Sequence, residues 1–331
     1  MPSNQNPLGA LPARFRRQRI LVIGCGDVGL RVARALPRHV RLLGLTSSPA
    51  RAPHLRECGI TPLQGNLDEA ATLVRLAGLA DRVVHLAPPS TEPAQQWWRD
   101  RRTEALLRVL RRRSVPAALV YASTSGVYGD CAGALVSEHR AVAPHTPRAQ
   151  RRVDAERLVR HFGRGSGTRA SVLRIPGIYA PDRVGGTPRE RLEKGTPVLA
   201  AGDDVYTNHI HADDLARAVI AALWRGRPQR VYNASDDSAL KMGDYFDLAA
   251  DLYGLPRPPR VPRSAAQESL PLVLLSFMSE SRRLDNARMK NELRVRLRHP
   301  TVESGLRATA TGWPRAPAAA PGPRAGPGSA S

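Results

Sequence analysis

Arg19-Ile-Leu-Val-Ile-Gly-Cys-Gly-Asp-Val-Gly29 decides how this chain folds. Ile20 to Ile23 is a continuous apolar run, as a strand buried on both faces requires. Gly24, Gly26 and Gly29 follow with Gly-x-Gly-x-x-Gly spacing. Val28, Val32 and Leu36 then recur every four residues, one face of a helix that Pro37 closes. Strand, glycine turn and helix in that order make a cradle for a dinucleotide pyrophosphate. Gly24 permits the tight turn, Gly26 the approach of backbone to phosphate, and Gly29 the packing of helix on strand. Asp27 and Val28 lie in the first helical turn, whose free amides attract anions.

Outward from that loop, strand and helix signals alternate from residue 19 to about 180, the pattern of a parallel sheet covered on both faces. Strands are predicted at Val40–Leu45, Ile60–Leu63, Arg82–Leu86, Ala118–Ala122 and Ser171–Ile175, with helices at 69–78, 93–113 and 148–162. Beyond 176 the alternation loosens into short strands at Val198–Ala200, His209–His211 and Val231–Asn233 and helices at 212–225 and 241–253. The expected fold is α/β, a Rossmann-type doubly wound parallel sheet over 19–180 with a smaller C-terminal substrate lobe over 181–313, its elements interleaved with those of the sheet. Residues 1–18 read as a flexible N-terminus and 255–283 as a long loop. The 314–331 tail of Pro, Ala, Gly, Ser and Arg cannot bury enough apolar surface to offset its ordering entropy, and reads as disordered.

The end of the second strand selects the cofactor. A carboxylate about 20 residues beyond the glycine loop holds the ribose hydroxyls of NAD, whereas a basic or hydroxyl-rich turn suits the 2′-phosphate of NADP. Thr46, Ser47, Ser48 and Arg51 stand there without an acid, which favours NADP over NAD. The competing reading is that Thr46 and Ser47 only cap a turn.

Composition narrows the remaining classes. No apolar run approaches the roughly 20 residues of a membrane span, and the longest candidate, Leu270 to Met278, contains a proline. The basic stretch Arg14 to Arg19 runs straight into the first strand, so it does not read as a signal peptide. Cys25, Cys58 and Cys131 are scattered, arguing against a disulfide framework or a metal site and for a soluble, cytoplasmic protein. The net charge of +21 comes almost wholly from arginine, since lysine occurs only at 194, 241 and 290. Those arginines are spread along the chain, as base composition would spread them, so nucleic-acid binding is the weakest of the functional readings.

Five further stretches line up in order with one family. They are Gly65-Asn66-Leu67, Val83-Val-His-Leu-Ala-Pro88, Ala122-Ser-Thr-Ser-Gly-Val-Tyr-Gly-Asp130, Leu173-Arg-Ile-Pro-Gly-Ile-Tyr-Ala-Pro181 and Asn208-His-Ile-His-Ala-Asp-Asp-Leu-Ala216. Together they resemble the extended short-chain dehydrogenases, the NAD-dependent epimerase/dehydratase family, most nearly its atypical YeeZ-like members. The likeness spans roughly 19–310. It implies that Asn66 and Leu67 meet the adenine, that Leu86, Ala87 and Pro88 run beside the dinucleotide, and that Pro176 is a further cofactor contact. It also implies a small-molecule substrate, a nucleotide sugar or other carbonyl compound, contacted by Tyr179, Arg183 and His211. A homodimer is common among such relatives, and Trp97 and Trp98 would suit its interface.

The family's catalytic pair is missing. Its tyrosine and lysine lie eight and four residues before a glutamate that corresponds to Glu156, and those places hold Arg148 and Arg152. None of the seven tyrosines has a lysine four residues on. Arg152 retains a cation able to hold the nicotinamide ribose, but Arg148 cannot replace a phenol because guanidinium does not release its proton. The resemblance leaves Thr124 to orient the substrate oxygen. Tyr128 is the candidate replacement acid/base, set against the reading that it only packs; His139 and His145 are weaker candidates. The expectation is an atypical NAD(P)-dependent oxidoreductase or epimerase, with a non-catalytic NADP(H) sensor as the alternative.

Overall fold

The structure, a computed structural model, describes residues 18–91 and 96–307. The chain begins with β1 (Arg19–Ile23), α1 (Asp27–Ala35), β2 (Arg41–Thr46), α2 (Ala52–Glu57), β3 (Ile60–Gln64) and β4 (Arg82–His85). It continues through α3 (Arg101–Leu110), β5 (Ala118–Thr124), β6 (Leu135–Val136), α4 (Pro147–Ser166) and β7 (Arg169–Ile175). The second half runs β8 (Gly177–Tyr179), α5 (Arg189–Glu193), β9 (Val198–Leu199), β10 (Tyr206–Thr207), β11 (His209–His211), α6 (Ala212–Arg225) and β12 (Arg230–Asn233). Then come β13 (Leu240–Lys241), α7 (Met242–Tyr253), β14 (Arg260–Val261), α8 (Arg263–Ser269), α9 (Leu272–Phe277), β15 (Arg283–Leu284), α10 (Ala287–Leu293) and α11 (Val302–Arg307).

Seven strands form one sheet in the order β12-β7-β5-β4-β1-β2-β3, every neighbouring pair parallel. This is the expected Rossmann-type sheet. Alternation along β1 sends Ile20 and Val22 to one face, with Val32 of α1, Leu215 and Val219 of α6 and Met289 of α10. Leu21 and Ile23 face the opposite layer, with Leu106 and Leu110 of α3 and Val159 and Phe162 of α4. A separate core, including Leu192, Val198, Phe246, Met278 and Val302, builds the lobe. The order of strands reverses between β1 and β4, so a crevice opens at their carboxyl ends.

The elements differ from the sequence reading in two places. Residues 69–78 do not form an α-helix; Ala70–Leu76 is a tighter 3₁₀ turn. The Thr72 hydroxyl there bonds the carbonyls of Asn66 and Glu69, offering the backbone an alternative to helix. Residues 255–283 are not one loop, because Pro262 and Pro271 stand at the caps of α8 and α9, where a missing N–H costs little. Arg230–Asn233 joins the main sheet beside β7, one of the elements interleaved with the lobe. The proposed tail, most of the proposed N-terminus and part of the 93–113 helix lie outside the described residues.

Candidate functional site

The glycine loop turns at Gly24, where φ is +95° and a Cβ would lie 2.5 Å from the Ala87 nitrogen. Only glycine fits both demands. At Gly26, by contrast, a Cβ would meet nothing within 4 Å. That open side, ahead of the α1 amides, is the cradle a pyrophosphate needs. Gly29 lies against the Gly24 carbonyl, 2.5 Å from where its Cβ would stand. Val28 is half-buried and packs on the α1–α6 core.

Asp27 is the unusual member of this loop, since a bare carboxylate would repel a phosphate. Both its oxygens are engaged: Oδ1 accepts from Arg31 Nε at 3.1 Å and Oδ2 from Arg183 Nη1 at 2.8 Å. Arg31, only 7% exposed, also donates to Asp213 and Asp182, each at 2.6 Å. Burial works against its charge, yet the bonds to Asp182 and Asp213 and the field of Asp27 hold Arg31 above the ordinary arginine range. One buried guanidinium thus ties the glycine loop to the 180–183 turn and to α6.

The rim of the crevice comes from the next two strand ends. Thr46 is buried and its Oγ1 accepts from the Ser48 amide at 3.2 Å, so it does cap a turn. Ser47 is exposed. Arg51 crosses from that turn to the glycine loop, where Nη2 donates to the Cys25 carbonyl at 2.6 Å. Leu86 and Ala87 both donate backbone N–H to the Ile23 carbonyl, at 2.7 and 3.1 Å. Asn66 is fastened locally, its amide donating to Glu69 Oε1 at 2.9 Å and its Oδ1 accepting from the Asp68 amide at 3.1 Å. Arg102 pairs with Asp68 and donates to the Pro88 carbonyl at 3.2 Å, joining the Leu67 and Pro88 edges. Pro176 is half-buried between β7 and β8.

At the carboxyl end of β5, Thr124 is partly exposed, its Oγ1 accepting from the Gly126 amide at 3.3 Å. Thr146 caps α4 by accepting from the Ala149 amide at 3.2 Å. Arg152, on the second turn, lies 8% exposed beneath the site. Its Nη1 donates to the Ala122 carbonyl at 2.5 Å and to the Tyr121 hydroxyl at 3.1 Å. Next to it, His85 is fully buried, with Nε2 2.9 Å from Thr103 Oγ1. Burial, then the Arg152 and Arg102 cations, push the imidazole down to about 3, so it stays neutral at ordinary pH.

Four candidates are bonded within the protein. Tyr128 is 1% exposed and its hydroxyl donates to Asn233 Oδ1 at 2.7 Å, which is a packing arrangement. Tyr179 is 2% exposed and donates to the Thr301 carbonyl at 3.2 Å. His211 is buried, stacked on His299 at 3.9 Å and accepting from the Asp213 amide. Arg183 serves Asp27. Tyr128, Tyr179 and Arg183 find hydrogen-bond partners that only folding brings within reach, while His211 bonds the amide two residues on. His139 meets Arg288, with Nε2 2.9 Å from its Nη2. His145 lies against Gly129, its Cδ2 2.7 Å from where a Cβ would stand. Trp97 and Trp98 meet edge to face and are each nearly half exposed.

Two groups went unread in the sequence. One is the Arg31 network. The other is Glu156, which accepts from Ser123 Oγ at 2.6 Å and from Arg174 Nε and Nη2 at 3.1 and 2.8 Å. Among the described residues no helix is long and apolar enough to cross a membrane, and no group of three or more His, Cys, Asp or Glu could hold a metal.

Comparison with known proteins agrees with this geometry. GDP-6-deoxy-D-mannose reductase of Pseudomonas aeruginosa is 28% identical over 195 residues, 53% of this chain and 64% of the reductase. The chain therefore spans less than two thirds of that relative. A conserved protein of unknown function from Silicibacter pomeroyi superposes with TM-score 0.72 at 29% identity, over 88% of this chain and 97% of its own. UDP-glucuronic acid 4-epimerase from Bacillus cereus, solved in complex with NAD, superposes with TM-score 0.68 at 18% identity over the same shares; it speaks for the fold alone. The model of the NAD dependent epimerase/dehydratase family matches residues 20–235. With its glycine cradle at the β1/β4 crevice and that match over most of its length, the chain belongs to the NAD dependent epimerase/dehydratase family.

Proposed function

We infer that the chain is an NADP(H)-dependent oxidoreductase or epimerase acting on a nucleotide sugar or related carbonyl compound, without the tyrosine–lysine proton relay. Arg51 carries the cofactor choice. Its guanidinium rests on the glycine loop, 2.6 Å from the Cys25 carbonyl, at the strand end where the ribose 2′ position is read. No carboxylate occupies 46–51, so a 2′-phosphate meets a cation and three hydroxyl residues there. Gly24, Gly26 and Gly29 would hold the pyrophosphate, with Asn66, Leu67 and Leu86 to Pro88 along the adenosine edge. Bound there, the cofactor supplies or accepts hydride, while the protein provides position and electrostatics. Thr124 would orient the substrate oxygen, and Arg152 would keep a cation beneath the nicotinamide end.

Calorimetric titration tests this reading. NADPH is expected to bind in the micromolar range and NADH more weakly; the reverse preference sinks the NADP assignment. Arg51→Ala should weaken NADPH by about 10- to 100-fold, the loss of one hydrogen-bonded charge pair, and leave NADH alone. Gly26→Val should abolish binding of both without lowering the melting temperature, because its side chain enters space that only the cofactor would need. A second reading, a dinucleotide sensor without turnover, draws support from the buried, hydrogen-bonded Tyr128. Tight NADPH binding with no oxidation across nucleotide sugars, aldehydes and ketones would favour it.

A further inference from the structure

The first two turns of α4 carry two guanidinium groups with no counterion. Arg148 is exposed and makes no hydrogen bond or ion pair among the described residues. Arg152, one helical turn on, makes no ion pair either; its bonds go to a carbonyl and a phenol, and its buried Nε has no acceptor. Like charges four residues apart on a helix repel. Arg151 between them is spent on another surface, its Nε donating to the Trp97 carbonyl at 2.6 Å. The neighbouring anions are also occupied. Glu156 is bound by Arg174 and Ser123, Asp100 caps α3 through Thr103, and Asp154 accepts from the Asp100 amide.

Arg148 precedes Ala149 on the first turn of α4, and Arg152 reaches the Ala122 carbonyl, two residues before Thr124. A Cβ on Gly126 would stand 3.7 Å from Thr124 Oγ1 and 4.0 Å from Ala149 Cβ, so the end of β5 packs on the first turn of α4. We propose that Arg148 and Arg152 form an anion subsite beside Thr124 that takes a small oxyanion of the substrate, a carboxylate or a phosphate, next to the reacting carbon. It rests on the reading of Thr124 as the reaction end of the cleft. Guanidinium binds such groups through paired N–H donors, which a phenol and an ammonium in the same places do not provide. The substrate would then be an anion at its reacting end.

The experiment is calorimetric titration of the full chain with oxalate and with inorganic phosphate, each with and without NADPH. Wild type should bind at least one anion, and Arg148→Ala should weaken it by about 10- to 100-fold with NADPH affinity unchanged. Arg157→Ala, an exposed site on the same helix, should leave anion binding intact. In Arg148→Lys, loss of oxalate with retention of phosphate assigns the subsite to planar carboxylates, and loss of phosphate with retention of oxalate assigns it to phosphate-like groups. Equal affinity in wild type and Arg148→Ala, equal loss in Arg157→Ala, or no binding of either anion to wild type overturns the proposal. Failure of NADPH to bind would remove the cofactor reading alone, since the titrations without it still decide the subsite.

Discussion

Glu156→Ala is expected to destabilise the fold by about 3–5 kcal/mol, the cost of leaving one member of a buried ion pair without its partner. Glu156 and Arg174 are 4% and 5% exposed, so water cannot replace the lost carboxylate. The guanidinium would retain its position 4.6 Å above the Tyr128 ring and lose both charge-assisted bonds. Urea unfolding measures this as a shift in midpoint. Replacing the pair together, Glu156→Leu with Arg174→Met, should recover much of the loss, because the penalty is an unpaired charge rather than a missing attraction. A midpoint unchanged in Glu156→Ala would mean the pair does not lock this region. Glu156 fixes α4 against β5 and β7 and therefore holds the helix turns that carry Arg148 and Arg152.

The second large effect concerns pH. Burial pushes the Asp236 carboxyl up to about 8, with Asp237 and Asp214 adding repulsion and the Ser238 bonds opposing. Its Oδ1 accepts from the Ser238 amide at 3.0 Å, while the buried Oδ2 has no partner. The folded state therefore binds this proton more tightly than the unfolded chain does. Its contribution to stability is complete below the unfolded value of 3.8 and is lost as pH rises toward 8. Asp236→Asn removes that titration. The difference in unfolding free energy between the Asp236→Asn variant and wild type should grow with pH, by at most about 1.4 kcal/mol per unit, and level off above 8. Chemical denaturation at pH 5, 7 and 9 would check it. A constant difference would mean that Asp236 is charged throughout.

Much of this molecule was legible before folding. The run Ile20 to Ile23 had to be buried on both faces, and the glycines after it had to turn and expose backbone, because those properties depend only on neighbouring residues. The same locality made β11 and α6 readable to the residue. Counting back from Glu156 is also what sets Arg148 and Arg152 at the places where the resemblance expects a tyrosine and a lysine.

Which way each side chain points was another matter. Arg183 stood in a substrate motif yet bonds Asp27, 156 positions earlier; Tyr128 stood in a catalytic loop yet bonds Asn233, 105 positions later. Arg31 draws acids from 182 and 213 into one buried cluster. Periodicity and local spacing determined the sheet and the glycine loop, because each follows from residues close together in the chain. Tertiary structure alone decided which polar groups are consumed by one another and which remain for a ligand, because a buried charge pairs with whatever the fold brings within reach, at any distance in sequence.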